Sequence, residues 1–228
     1  MNLLAIDTST DSCSVAASRG AELFSRREPA AQRQAERVLG MVEELLAEAS
    51  LGLGEIEGIA YGEGPGSFTG LRIAAGVTQG LALARGVGVV GVGSLLALVE
   101  EAAEGAAGEK IIACLDAHMG EVYHAAYVKA RAGWEEISSP GLYRPEGVPV
   151  PSGRDWTGCG DGFAAHRDRL AARLGDRVSA IRSDAAPSAL AVLRLAIPRF
   201  AAGEAKDAAT AVPVYLRDKV AKKTSERA

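Results

Sequence analysis

The run Leu3-Leu4-Ala5-Ile6-Asp7 opens the chain, and Ile111-Ile112-Ala113-Cys114-Leu115-Asp116 has the same character, its aspartate standing 109 residues after Asp7. Each is a short apolar run that closes on an aspartate. A polar turn follows the first, Thr8-Ser9-Thr10-Asp11-Ser12. Short apolar runs bounded by turn residues read as strands. Cys13 to Ser18 and Glu22 to Arg26 extend the first copy as an antiparallel meander. At the same offset of 109, Ala125-Ala126 matches Ala16-Ala17 in the next strand. Both halves begin strand, Asp, turn, strand, and similarity at so long a period points to two copies of one folding unit. The expected fold is a duplicated α/β protein whose two lobes carry mixed sheets flanked by helices. Residues 1–105 form the first lobe, completed by the C-terminal segment 205–228, and residues 106–204 form a smaller second lobe.

Helices fill the intervals. Residues 31–49 place Ala35, Val38, Leu39, Val42, Leu45, Leu46 and Ala49 at helical spacing, with Met41 widening the stripe. The apolar arc covers roughly 160°, against the ~100° that a one-sided surface helix needs. Such a width predicts two neighbours, the home sheet and something else. A strand at Ile56–Tyr61 and a loop at Gly62–Phe68 lead into a second helix, from near Thr69 to Ala84. Each interior glycine of that helix, Gly76 and Gly80, costs about 1 kcal/mol relative to alanine. Their four-residue spacing puts both on one face beside Ala75 and Ala84, where another backbone can come close: the protein's own sheet, or a helix of another chain. Strand Val87–Val92 and helix Ser94–Ala103 close the first half. The second half reads as a Gly- and Pro-rich loop over 138–155, a strand near Trp156, a helix over 163–174, a strand at Val178–Ile181 and a helix over 187–201. Pro187 suits the first turn of that last helix, and Pro198 is expected to end or kink it. The tail from Pro213 carries Arg217, Lys219, Lys222, Lys223 and Arg227 and reads as a solvated terminus, with contact to RNA phosphates as the lesser reading.

Hydrophobic residues make up 48% of the 228 residues but aromatics only 5%, so the core must be built from small and branched aliphatic side chains. The net charge of −4 argues against this chain as the main reader of RNA, because phosphate neutralisation calls for a basic face. Cys13, Cys114 and Cys159 are odd in number and far apart, which fits buried free thiols in a reducing compartment. The N-terminus enters its first strand without a basic and then apolar leader, and no run of 18 apolar residues occurs. The expected setting is cytoplasmic, without a membrane.

The candidate sites are few. Asp7-Thr8-Ser9, mirrored by Asp116 with Gly120 and Glu121, would allow two acidic hairpins to grip Mg-ATP; the same residues equally serve as turn caps, and the first hairpin has no glycine to admit a phosphate. Gly64-Pro65-Gly66-Ser67-Phe68-Thr69-Gly70 follows a strand and opens a helix, an anion-friendly place. It lacks the lysine of a P-loop, and it misses the dinucleotide fingerprint because its third glycine comes one residue late. His118, His124 and His166 form no i, i+4 pair, and Ser67 lies outside a G-x-S-x-G elbow. Neither a catalytic residue nor a metal ligand set is expected, and the reading is a non-catalytic protein that works through a partner. The alternative is a stand-alone actin-like ATPase or small-molecule kinase using Asp7 and Asp116; a peptidase would need metal ligands or a triad.

Leu4-Ala5-Ile6-Asp7-Thr8-Ser9-Thr10, Gly64-Pro65-Gly66-Ser67-Phe68-Thr69-Gly70-Leu71-Arg72, Asp116-Ala117-His118-Met119-Gly120-Glu121-Val122-Tyr123 and Pro213-Val214-Tyr215-Leu216-Arg217 together resemble the bacterial TsaB (YeaZ) family over nearly the whole chain. The glycine-rich segment is the specific part. The resemblance implies an actin-like, RNase H-like double fold. It also implies a place in the machinery that installs threonylcarbamoyl on the adenosine next to the anticodon of tRNA. In that family the catalytic subunit is a paralogue, TsaD, which holds the metal; the TsaB-type subunit pairs with it through first-lobe helices, forms homodimers alone and helps recruit the ATPase TsaE. Vestigial nucleotide-site positions would be Asp7, Thr8, Ser9 and Asp116. No cofactor is expected on the chain by itself, with ATP or ADP held at most where it meets its partner, and tRNA is reached only indirectly or weakly. The expected partner and dimer surface comprises Val38, Leu39, Met41, Val42, Leu45, Leu71, Arg72, Ala75, Gly76, Gln79 and Gly80. Two positions depart from the family pattern: Ala35 stands near where a His-Ser-Glu cluster is usual, leaving only Glu36, and His118 replaces the arginine of Asp-Ala-Arg.

Overall fold

The computed structural model describes residues 1–30, 33–104 and 108–217. The chain runs β1 (Leu3–Asp7), β2 (Ser12–Arg19), β3 (Glu22–Pro29), α1 (Gln34–Glu48), β4 (Gly58–Gly64), α2 (Phe68–Arg85), β5 (Gly88–Gly93) and α3 (Ser94–Ala103). The second half runs β6 (Lys110–Asp116), β7 (Val122–Ala130), β8 (Gly133–Tyr143), β9 (Trp156–Cys159), α4 (Gly162–Ala165), α5 (Arg167–Leu174), β10 (Val178–Arg182) and α6 (Ala189–Ala201). The two sheets share one wiring, β3-β2-β1-β4-β5 and, in corresponding order, β8-β7-β6-β9-β10. In each, the first three strands are antiparallel and the last two join in parallel. This is a duplicated actin-like α/β fold.

The helices exchange lobes. Leu4, Ile6, Cys13 and Val15 pack under α1 and α2, while Leu3, Ala5 and Ala16 on the opposite face pack under α6 through Val192, Leu193 and Ala196. In the second sheet Ile112, Cys114 and Val122 pack under α4 and α5, and Ile111, Ala113 and Ala125 pack under Leu95, Leu98 and Val99 of α3. Helix α6 thus belongs to the first sheet, and α3 mainly to the second. This corrects the division at residues 105 and 204: a short helix between sheets buries its apolar stripe on whichever sheet face stands bare, and sequence order does not decide which.

The repeat also needs a correction. Leu3 and Ala5 lie under α6 as Ile111 and Ala113 lie under α3, an offset of 108 in the first strand. Ala5 faces Ala16, and Ala113 faces Ala125, so the alanine match at 109 in the next strand holds. Asp7 therefore corresponds to Leu115, and Asp116 stands one residue further on. A slip of one residue in a strand turns a side chain to the other face, so the two aspartates leave their sheets on non-equivalent sides.

Smaller differences follow from local chemistry. Strand β8 takes up 138–143 of the expected loop, since an edge strand tolerates Pro140. The helix expected over 163–174 is split at His166 into α4 and α5. Ser188 caps α6 by accepting from Ala191 N at 3.1 Å, so Pro187 lies just before the helix, and α6 runs past Pro198 to Ala201. Ser67 caps α2 in the same way, accepting from Gly70 N at 3.3 Å, and Gly86 closes that helix at φ 64°. The tail residues Lys219, Lys222, Lys223 and Arg227 lie outside the described residues. Arg217 is not a solvated end: it pairs with Glu121 at 2.8 Å.

Candidate functional site

Between the lobes lies a cleft of about 840 Å³ lined by residues from both, among them Ser9, Thr10, Ser67, Phe68, Asp116, Asp161 and Arg217. Its first-lobe wall is made where the β1 end meets the loop before α2. Thr8 Oγ1 donates to the Gly70 carbonyl at 2.7 Å, and Ser67 N donates to the Ser9 carbonyl at 2.8 Å. A Cβ at Gly70 would overlap the Thr8 carbonyl, and one at Gly66 would overlap that of Ser9. The two glycines are there so that one backbone can sit on the other. The Gly64–Pro65 peptide within this loop is cis.

That seating decides the fate of Asp7. Its carboxylate accepts from Ser9 Oγ at 3.0 Å and from Ser9 N at 3.2 Å, and the residue is 0% exposed. Burial pushes its pKa above the ordinary carboxylate value, with the Ser9 bonds and the Arg27 charge pulling the other way. Thr8 and Ser9 are buried as well. Asp116 is different. Its side chain is 22% exposed to the cleft, accepts from His118 N at 3.0 Å and lies 3.2 Å from His166 Nε2. Asp161 accepts from Asp116 N at 2.9 Å; burial raises its pKa, that hydrogen bond opposes the rise, and the Asp116 charge adds to it. Asp7 and Asp116 therefore do not face each other across the cleft. Among the described residues, no three His, Cys, Asp or Glu side chains converge where an ion could be held.

The second candidate is the outer face of α1 and α2. Of the residues expected there, Val38, Met41, Val42, Leu45, Leu71 and Ala75 are buried in the chain's own core. The wide apolar arc of α1 serves the home sheet on one flank and α2 of the same chain on the other, so these six do not form a surface. Leu39, Arg72, Gly76 and Gly80 are exposed and Gln79 half-exposed. Leu39 is 50% exposed and Leu83, which the periodicity did not single out, 78%. A Cβ at Gly76 or Gly80 would meet nothing within 4 Å. The close approach these glycines permit is therefore not to the home sheet. Ala35 and Glu36 lie on the same exposed side of α1.

Sequence reading missed a third feature. Phe68, Arg72 and Tyr215 form one stack at the start of α2: the Arg72 guanidinium lies 3.8 Å above the Phe68 ring, and the Tyr215 ring centroid is 5.4 Å from that of Phe68. Phe68 and Arg72 fall in the glycine-rich segment and Tyr215 in the run from Pro213, but nothing in their spacing says that the two segments meet.

The family model described as TsaD, tRNA N6-adenosine threonylcarbamoyltransferase, matches residues 27–225. The tRNA threonylcarbamoyladenosine biosynthesis protein TsaB of Escherichia coli (strain K12) is 35% identical over 228 residues, covering 97% of this chain and 96% of that protein. A solved structure, YeaZ from Pseudomonas aeruginosa, superposes with a TM-score of 0.88 at 39% identity and covers 94% of this chain and 99% of its own. The tRNA N6-adenosine threonylcarbamoyltransferase of Geobacter sp. (strain M21) is 43% identical over 79 residues, 33% of this chain and 23% of that protein. The family model thus spans most of the chain, but the Geobacter transferase itself matches only a third of it, whereas likeness to TsaB and YeaZ runs over nearly the whole length of both chains and carries the duplicated fold with it. The chain belongs to the TsaB (YeaZ) family.

Proposed function

We propose that this chain is a non-catalytic subunit of the machinery that makes threonylcarbamoyladenosine in tRNA, where it binds and supports a catalytic paralogue of the TsaD type. The observation that carries the reading is the bare face of α1 and α2, with Leu39 and Leu83 exposed and none of the described residues packed on Gly76 or Gly80. Two glycines inside an exposed helix cost about 1 kcal/mol each. They repay that cost by letting a facing helix approach to backbone contact. A paralogue that shares sequence with this chain can present matching helices, so that four helices pack across a pseudo-symmetric interface. A second copy of this chain would use the same face, and the homodimer and the mixed complex would compete. A TsaE-type ATPase would join the assembled pair, ATP or ADP would be held where the subunits meet, and tRNA would be reached mainly through the partner. The setting is cytoplasmic; among the described residues no helix is long and apolar enough to cross a membrane. A stand-alone ATPase needs two carboxylates facing across the cleft, and the enclosure of Asp7 works against it.

The test is light scattering after size-exclusion chromatography, on the protein alone and mixed with its TsaD-type paralogue. The expected result is a dimer that converts to the mixed complex. Gly76→Leu should stay folded, because its Cβ meets nothing within 4 Å, and should weaken both associations by filling the close approach. A folded Gly76→Leu protein with unchanged mass and unchanged affinity for the paralogue would count against the interface.

A further inference from the structure

Residues 206–217 run along the flank of the first lobe and finish on the second. Lys206 and Val89 exchange two backbone hydrogen bonds of 2.9 Å at the β5 edge. Gln79 Nε2 donates to the Ala209 carbonyl at 3.3 Å. Tyr61 Oη accepts from Val212 N at 3.1 Å and donates to the Val212 carbonyl at 3.2 Å. Val214 N donates to the Glu63 carbonyl at 2.7 Å, and Arg72 Nε donates to Tyr215 Oη at 3.0 Å. One residue later the partners change. Leu216 packs against the apolar cluster between α3 and the second sheet. Arg217 Nη2 donates to the Ala117 carbonyl at 2.9 Å and pairs with Glu121 at 2.8 Å, while Nη1 donates to Met119 Sδ at 3.0 Å. The guanidinium thus grips the β6–β7 turn from both sides, at a side-chain exposure of 14%.

We propose that residues 206–217 are a latch across the interlobe cleft, with Arg217 as its catch, and that opening the catch lets the second lobe swing away from the first. The anchor on the first lobe is distributed over backbone hydrogen bonds, two hydrogen bonds to Tyr61 and an aromatic stack. The hold on the second lobe is one arginine with its charge-assisted bonds and one leucine. Arg217 also lines the cleft together with Ser67 and Phe68 of the first lobe. The lobes also meet through α3, which packs on α6 and, through Ala97, on Ala60, Val90 and Val92 of the first sheet. Lobes joined in this way move by hinge rotation about a few chain crossings, and a polar catch can break and re-form without disturbing either core.

The experiment is a spin-label distance measurement between Ser25→Cys on β3 and Ser179→Cys on β10. Both sites are exposed, the three native cysteines are buried, and labelled protein is diluted with unlabelled to suppress distances between copies. With the catch intact, a single narrow distribution is expected. Arg217→Ala should move it to longer distances and broaden it. Arg217→Lys, which keeps the charge but not the fork, should fall between. Glu121→Gln reads the same catch from the other lobe should Arg217→Ala fail to fold, and it should broaden the distribution in the same direction. A native distance and width in folded Arg217→Ala, or in Glu121→Gln where that is the variant measured, overturns the latch.

Discussion

Replacing His124 with leucine should stabilise the protein, and by more at pH 5 than at pH 8. His124 sits in β7 between Cys114 on β6 and Gly141 on β8, with its ring perpendicular to that of Tyr143 at a centroid distance of 5.9 Å. It is fully enclosed, and neither ring nitrogen has a hydrogen-bond partner among the described residues. Burial alone lowers its pKa from 6.5 to about 4. The fold therefore holds the imidazole neutral. Below pH 6.5 the unfolded chain takes up a proton that the folded chain refuses, so stability present above 6.5 is lost as the pH falls toward 4. The gap between 6.5 and about 4 corresponds to about 3 kcal/mol in all, of which about 2 kcal/mol is gone by pH 5. The unpartnered nitrogens cost stability at every pH, on the order of 1–3 kcal/mol. Loss of the edge contact with Tyr143 returns about 0.5–1.5 kcal/mol of this. Urea denaturation of both proteins from pH 8 to pH 5 isolates the histidine as a difference that cancels all other titrations. The advantage of His124→Leu should widen by about 2 kcal/mol over that range. A constant gap would refute the neutral, unpartnered histidine, and a leucine variant less stable at both ends would refute the packing argument.

Two further outcomes test the frame of the site. Gly70→Ala should cost about 1–3 kcal/mol, because its new methyl meets the backbone carbonyl of Thr8 and not a side chain that can turn away; an unchanged melting temperature would mean that the loop is not seated on the β1 end. Ser188→Ala should cost about 1 kcal/mol through the lost cap on Ala191 N, together with the bond to Glu101 of α3; chemical denaturation with no change in midpoint would rule the cap out as a support of α6.

The wiring of the two lobes was legible because apolar runs and polar turns repeat in the same order, and that order is what sheet topology depends on. The register was not. Matching the halves on Asp7 and Asp116 is the natural alignment of letters, yet the pleat makes face depend on parity, and the packing of Ala5 under α6 and Ala113 under α3 shows the offset in that strand to be 108. The same limit applies to α1. Val38, Met41, Val42 and Leu45 showed that the helix has two apolar neighbours, but a stripe records area and not ownership, and α2 of the same chain is the second neighbour. Gly76 and Gly80 behaved in the opposite way: none of the described residues packs on them, so the pattern pointed away from the home sheet. The strap over 206–217 was legible as a segment that returns to the first lobe and as the run Pro213–Arg217, but its crossing to the second lobe was not, because its hydrogen bonds are irregular and its contacts come from residues as distant as Tyr61 and Ala117.

The exchange of helices between lobes carries a consequence for synthesis. A ribosome delivers the first sheet, α1 and α2 before residue 100, but the helix that covers Leu3, Ala5 and Ala16 ends at Ala201. Until then one face of the leading sheet has only α3 to shelter it, and α3 is bound for the second sheet. The amino-terminal half therefore waits, half clothed, until α6 has emerged. A truncation ahead of α6 strips the oldest part of the molecule, not the newest, and aggregation of stalled chains should begin from that bare alanine-rich face.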